Sequence, residues 1–235
     1  MTVLRFASRA VFASLPLLGA VLAVPATAAP AAHNGAQHHG IAHRDVAPAP
    51  IPLADTVRVA LVTTAGTIEL DLDGKHAPVT TANFLHYVDT KRFDGITFYR
   101  AMHLAWGDQP NGLIQAGVRD TRKLFPPIAH EPTSQTGVLH KAGTISMARF
   151  APGTATSDFS ILISDMPALD ADPKATDPEA QAGFAAFGHV VSGMDVVRKI
   201  WDAPISPTLG EGVMKGQMLA DPVRVLTARR EPLPG

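Results

Sequence analysis

The sequence predicts a mainly β domain closed into an antiparallel barrel, with two helices packed on it. Three observations lead there. Short runs with period-two alternation recur from Val57 to Thr227, clusters of Gly, Pro or Asp bound most of them, and only two stretches carry a helical period. Short, mostly antiparallel strands with so few helices argue against a doubly wound sheet, and full closure removes exposed strand edges. The 235 residues are 46% apolar and 17% charged, enough for one sizeable core in one domain, expected over 56–230.

The elements follow in order. Val57, Val59 and Leu61 alternate against Arg58 and Ala60; Ile68, Leu70 and Leu72 alternate against Glu69 and Asp71. Thr64-Ala65-Gly66 between them makes a hairpin signal. Pro78 suits a first helical turn because the N–H it lacks has no partner there. A helix is therefore expected to about Asp89, with Val79, Ala82, Leu85 and Val88 as its apolar stripe and Phe84 widening it. Phe93-Asp94-Gly95 turns the chain into a strand over 96–100, where simple alternation places Ile96, Phe98 and Arg100 on one face. Further strands are expected over 113–116, 144–148, 159–163, 186–191 and 223–227, and a second helix over 194–201.

The N-terminus reads as a secretory signal. Arg5 and Arg9 form a basic start, Ala10 to Val24 is apolar, and Ala26-Thr27-Ala28 offers small residues for cleavage after Ala28. The apolar run is shorter than the roughly 20 residues a membrane span needs, so release is expected, with no membrane partner afterwards; an uncleaved anchor is the alternative. The absence of cysteine fits an oxidising destination, periplasmic or secreted. Residues 29–55 are rich in Ala, Pro and His without an apolar period and read as a disordered linker. His33, His38, His39 and His43 lie in it, but with no fixed spacing and no packed surroundings to orient the rings, no metal site is assigned. A net charge of -1 offers nothing to nucleic acid. A monomer without a cofactor is expected.

Several stretches, read in order, resemble cyclophilins, with the bacterial exported branch most similar. They are Thr67-Ile68-Glu69-Leu70, Ala77-Pro78 to Asn83-Phe84, Thr97-Phe98-Tyr99-Arg100, Gly112 to Gly117, Gly143 to Ala148, and Ala186 to Asp195. The resemblance implies an eight-stranded barrel capped by two helices, with peptidyl-prolyl cis-trans isomerase activity on proline-containing polypeptides in an outer groove. It implies Arg100 as the catalytic arginine and Gln115 as the glutamine that orients it and the substrate carbonyl. It also implies Leu113, Leu169 and Phe184 around the proline ring, and Ala148 and Arg149 along the substrate backbone. The residue types fit the chemistry. Amide resonance sets a barrier of about 18–20 kcal/mol to rotation about an X-Pro bond. An N–H donor aimed at the prolyl nitrogen localises its lone pair, and arginine holds its charge at any working pH. An arginine at a strand end is otherwise most often half of a surface ion pair.

Departures from the family pattern are concentrated at the groove. Gly112 and Ser160 stand where phenylalanines are usual, Asp158 replaces a glutamine and is expected to be able to pair with Arg100, and Ala168 falls near the family's ligand-contacting tryptophan. The connection from Ala101 to Asn111 is longer than usual. Phe150 is expected to lean into the volume vacated at Ser160, and Trp106 to cover the groove mouth. The acidic stretch from Asp170 to Glu179 lacks the alternation of a calcium loop. Two other functions compete with an isomerase: a peptide-binding chaperone module using the same groove, and a hydrolase using Ser146 or Ser160 with His140. The hydrolase ranks last for want of a nucleophile elbow.

Overall fold

Strands whose apolar residues alternate need a common interior, and here eight of them make one by closing on themselves. The computed structural model describes residues 53–233; the expected signal segment, the His tract and all but the last three residues of the linker lie outside them. β1 (Thr56–Thr63) and β2 (Gly66–Asp73) form the expected hairpin, Thr63 pairing with Gly66 across Thr64-Ala65. β3 (Thr97–His103), β4 (Gly112–Gly117), β5 (Thr144–Met147), β6 (Phe159–Leu162), β7 (Ala185–Ser192) and β8 (Met218–Glu231) follow. Their order around the barrel is β1-β2-β7-β5-β6-β4-β3-β8, with β8 returning to β1 and every pair antiparallel.

Two helices of eight residues or more pack on the barrel, α1 (Pro78–Asp89) and, later in the chain, α4 (Met194–Trp201). Between them come α2 (Thr133–Thr136) and α3 (Pro178–Ala182), single turns too short to show a period in the sequence. Among the described residues no helix is long and apolar enough to cross a membrane.

The apolar stripe expected on α1 holds at Phe84, Leu85 and Val88 but fails in the first turns. Val79 and Ala82 are exposed, while Thr80, Thr81, Phe84, Leu85, Tyr87 and Val88 are buried. Two threonines take inward positions near the start because each has a partner there. Thr81 Oγ1 donates to the Asp73 carbonyl (2.9 Å), and Thr80 Oγ1 donates to the Glu131 carboxylate (2.6 Å). Glu131, itself 3% exposed, also accepts from the backbone N–H of Val79 (3.0 Å) and of Thr80 (2.7 Å). Helix α1 begins at Ala77, which has no capping side chain, so a carboxylate some fifty positions away in sequence caps it and opposes its dipole.

Aromatic packing under α1 fills the barrel. Phe84 lies 4.8 Å from Phe93, 5.2 Å from Phe159 and 5.5 Å from Phe187, ring centre to ring centre. α4 closes the other end with Val197, Ile200 and Trp201; the Trp201 indole N–H donates to the Met102 carbonyl (2.8 Å) and its ring stacks on His103.

Replacing Glu131 by Ala uncaps α1 and leaves buried donors unpaired. We expect a loss of roughly 2–3 kcal/mol in unfolding free energy, read from urea denaturation, with Glu131→Gln intermediate; an unchanged midpoint would show that the cap is not needed.

Candidate active site

A register shift in β3 decides where Arg100 points. Phe98 pairs with Ala116, but Arg100 pairs with Gln115 and not with Ile114, so Tyr99 is an extra residue in a β-bulge. On the β8 side the register also breaks between Phe98 and Arg100, Phe98 pairing with Val223 and Arg100 with Met218. The bulge reverses the alternation: Phe98 and Ala101 belong to the core, while Arg100 lies on the outer face with Gln115. The expectation that Ile96, Phe98 and Arg100 share a face is corrected here, because simple alternation does not survive a bulge.

On that outer face one row of side chains crosses five strands. Arg100 is opposite Gln115, Gln115 opposite Ser160, Ser160 opposite Ser146, and Ser146 opposite Ala186. Arg100 and Gln115 touch directly: Nη1 donates to Gln115 Oε1 at 2.8 Å. Nε and Nη2 both donate to Gln217 Oε1 (2.9 and 2.6 Å), and Nη2 also reaches the Met102 sulfur at 3.5 Å. Gln217 is held in turn by donating to the Val213 carbonyl (2.9 Å). These partners are neutral, and among the described residues Arg100 forms no ion pair. The guanidinium is therefore fixed in direction, keeps its charge uncompensated, and retains an Nη1 hydrogen for a ligand. Burial draws its pKa below the ordinary value, as expected for a cation half removed from water.

Gln217 escaped the sequence reading. It precedes β8 in a glycine-rich loop with no motif around it, and it reaches Arg100 only because Met218 pairs with Arg100 across the β3–β8 ladder. Asp158, expected as a possible partner of Arg100, is not one. Its Oδ1 is packed against Gly117, where a Cβ would sit 1.6 Å away, and among the described residues that oxygen has no hydrogen bond. Burial raises the carboxyl pKa, opposed by Arg119 and Tyr99.

The remaining expected groove residues divide. Leu113, on the outer face two residues from Gln115, is buried. Leu169 and Phe184, both half-buried, are joined by a backbone bond from Phe184 N–H to the Leu169 carbonyl (2.8 Å). Ala148 sits at the end of β5 with its N–H donated to the Asp158 carbonyl (2.9 Å). The Arg149 side chain is consumed internally: it is 1% exposed, pairs with Glu179 at 3.0 Å, donates to the Gly183 carbonyl and lies 4.6 Å from the centre of the Phe184 ring. It orders the segment that carries α3, leaving only its backbone for a ligand. Phe150 is 95% exposed, in a turn beyond the strand, and does not lean into the space at Ser160. Trp106 does not cover the groove either; the cavity it lines includes none of Arg100, Leu113, Gln115 or Ser160. Gly112 has a steric cause, since a Cβ there would lie 1.9 Å from the Met102 carbonyl oxygen and a phenylalanine has no room to start.

With this geometry in place, the comparisons are specific. A sequence model of the family described as cyclophilin type peptidyl-prolyl cis-trans isomerase/CLD matches residues 58–228. The chain belongs to the cyclophilin-type peptidyl-prolyl cis-trans isomerases. A peptidyl-prolyl cis-trans isomerase of Acinetobacter baylyi is 34% identical over 182 residues, covering 75% of this cyclophilin and 86% of the relative. The peptidyl-prolyl cis-trans isomerase A of Dickeya dadantii is 35% identical over 150 residues, 62% of this chain and 71% of that one. In fold it is similar to the crystal structure of a cyclophilin-type isomerase from Cryptosporidium parvum, with a TM-score of 0.60, 18% identity, and coverage of 76% of this chain and 99% of the other.

The row of this cyclophilin's outer face ends in an arrangement resembling a hydrolytic triad. His140 Nδ1 is 2.7 Å from Asp170 Oδ1, and Nε2 is 2.8 Å from Ser146 Oγ. With Nδ1 donating to the carboxylate, Nε2 is left to accept the serine proton. The distances suit nucleophilic catalysis, but the surroundings do not. Ser146 is 3% exposed, its hydroxyl can also donate to the Ala185 carbonyl (3.3 Å), and its strand is paired on both sides, so no backbone N–H is left for an oxyanion. The network instead ties Asp170, at the start of the segment leading to α3, to the wall of the barrel. Among the described residues no cluster of three or more ligating side chains could hold a metal.

Burial holds the His140 pKa below its ordinary 6.5 despite the pull of Asp170. The unfolded chain therefore binds this proton first as pH falls, so stability present above about 6.5 is lost as the pH drops toward the folded value. We expect His140→Ala to cost about 2–3 kcal/mol at pH 7.5, and the gap to wild type in urea midpoints to narrow by pH 5; a gap that widens at pH 5 would contradict a buried neutral imidazole.

Proposed function

We propose that this protein accelerates rotation about X-Pro bonds in exported polypeptides, with Arg100 donating an N–H to the prolyl nitrogen. The carrying observation is the uncompensated guanidinium locked between Gln115 and Gln217. A donor at that nitrogen stabilises the twisted amide more than the planar one, because only the twisted form has a localised lone pair. Supplying about 7 kcal/mol in this way corresponds to roughly a 10⁵-fold rate. The protein needs no general base, metal or cofactor for this step. Gln115 also orients the substrate carbonyl, Leu113, Leu169 and Phe184 receive the proline ring, and the backbone at Ala148 and Arg149 pairs with the extended chain. The basic and apolar N-terminal segment with Ala26-Thr27-Ala28 supports export to the periplasm or beyond, as a monomer released from the membrane and as a member of the bacterial exported branch.

A second reading has its own observation. Gly112 and Ser160 leave the floor of the groove without the usual aromatic rings, which favours a module that holds proline segments with little turnover. A protease-coupled isomerisation assay on an Ala-Pro peptide separates the two. We expect Arg100→Ala to reduce kcat/KM by about 10²–10³; equal rates for variant and wild type would remove Arg100 from the chemistry, and binding without acceleration in the wild type would establish the module.

Gln217→Ala tests the positioning separately. Because it loosens the guanidinium without touching the proline site, kcat should fall about tenfold while KM changes less than twofold; a change confined to KM would place Gln217 in binding instead.

A further inference from the structure

The inserted connection between β3 and β4 builds a feature of its own. Its backbone is held from within: Gln109 Nε2 donates to the carbonyls of Leu104, Trp106 and Gly107 (3.0, 3.2 and 3.2 Å), and Asn111 Nδ2 donates to the Trp106 carbonyl (2.7 Å). Ser164 Oγ donates to Asn111 Oδ1 (2.9 Å), and Leu104 N–H to the Asn111 carbonyl (2.9 Å), so the loop is tied to its own base and to the segment after β6. Between these two segments lies a cavity of about 540 Å³ whose apolar wall is made by Trp106, Pro110, Ile163, Met166, Pro167 and Ala168. Trp106 is 62% exposed, an indole held in water by a loop braced from within.

The polar lining narrows the chemistry of an occupant. Asn111 and Gln109 spend their amide N–H groups on the loop itself, and Asp165 is engaged by Lys141 (3.0 Å) and by the Ala142 N–H (2.8 Å). What remains are Asp108 and Arg198, both exposed, which suit the rim more than the floor. A sugar or a nucleotide would find few unspent donors here, whereas an aromatic or large aliphatic side chain would find an indole, a flexible thioether and aliphatic walls.

Position narrows it further. Ile163 N–H donates to the Gly112 carbonyl (2.9 Å), one residue before Leu113, and the turn that gives Ala168 to the cavity also carries Leu169, assigned above to the proline ring. The cavity thus adjoins the groove at the Gly112 end of β4, while Ala148 to Phe150 lie near the opposite end, where Ala148 pairs with Asp158 just before β6. Gln115 to Gly112 spans three residues of strand, about 10 Å, the reach of two or three residues of extended ligand.

We propose that this cavity is a specificity subsite that takes an aromatic or large aliphatic side chain of the same proline-containing polypeptide, two or three residues from the proline on the side away from Ala148. The inference rests on the groove binding such polypeptides. The small side chain at Ala168 leaves the space; the inserted loop supplies the wall that makes it a site.

The test uses Ac-Ala-Ala-Ala-Pro-Ala-Ala-Ala-NH₂ and four derivatives with Phe at the second or third residue before or after proline. Dissociation constants by calorimetry are compared for wild type, Trp106→Ala and Ala168→Trp, the last filling the cavity without removing the loop. We expect Phe on one side of the proline to tighten binding about tenfold, the gain to vanish in both variants, and the all-alanine peptide to bind all three proteins alike. No gain at any position, or a gain that survives in both variants, would overturn the subsite. The two readings fail separately. Phe-dependent binding that requires Trp106 without any acceleration of isomerisation would spare the subsite and sink the enzyme, whereas Arg100-dependent isomerisation indifferent to Phe would do the reverse.

Discussion

The β-bulge at Tyr99 is the constraint from which the site follows. Without the extra residue, Arg100 would keep the parity of Phe98 and point into a barrel packed with phenylalanine rings, where an unpaired guanidinium costs far more than a domain of this size can spare. With it, the same side chain emerges beside Gln115, at the one place where β8 also delivers Gln217. Fixing a cation with neutral amide oxygens is a specific solution. A carboxylate would hold it as firmly but would compete with a substrate for its field, and Asp158, the nearest candidate by sequence, is kept against Gly117 instead.

The distribution of aromatic residues is the second theme. Phe84, Phe93, Phe98, Phe159 and Phe187 are all fully buried, and their contacts fill the barrel beneath α1. The groove has correspondingly little aromatic surface of its own. The absence at Gly112 is forced by the approach of the Met102 carbonyl, which in turn accepts from the Trp201 indole that pins α4. The inserted loop, which departs from the family pattern, exposes Trp106 and lines a separate cavity together with Ile163, Met166 and Ala168.

Long-range polar contacts hold the loops that frame this surface. Glu131 caps α1 from a distant connection, His140 bridges Ser146 to Asp170, and Arg149 is buried between Glu179, Gly183 and Phe184. In each case a charged or titratable group that would read as a functional candidate in isolation is engaged by neighbouring structure. Arg149 is the clearest instance: a residue on the groove segment whose side chain faces a neighbouring loop. The Ser146 network shows that triad distances alone do not make a nucleophile when access and oxyanion donors are missing.

Strand existence and order were legible in the sequence because period-two alternation and turn residues are local properties; all eight strands and both long helices lie where those patterns place them. The adjacency of Arg100 and Gln115 was implied by ordered motifs, and the structure joins the two. The inward face of the first turn of α1 was not legible, because Thr80 and Thr81 face inward only through bonds to Glu131 and Asp73, which no window on the helix contains. The direction of Arg100 was not, because a bulge is a property of two strands in register. Gln217 was not, because it meets Arg100 across 117 positions of chain. The sequence by itself determined a closed antiparallel barrel and the arginine that belongs at its surface. Only the tertiary structure decided which way that arginine points, what holds it there and what opens beside it, since each of these depends on atoms that alternation and motif leave far apart.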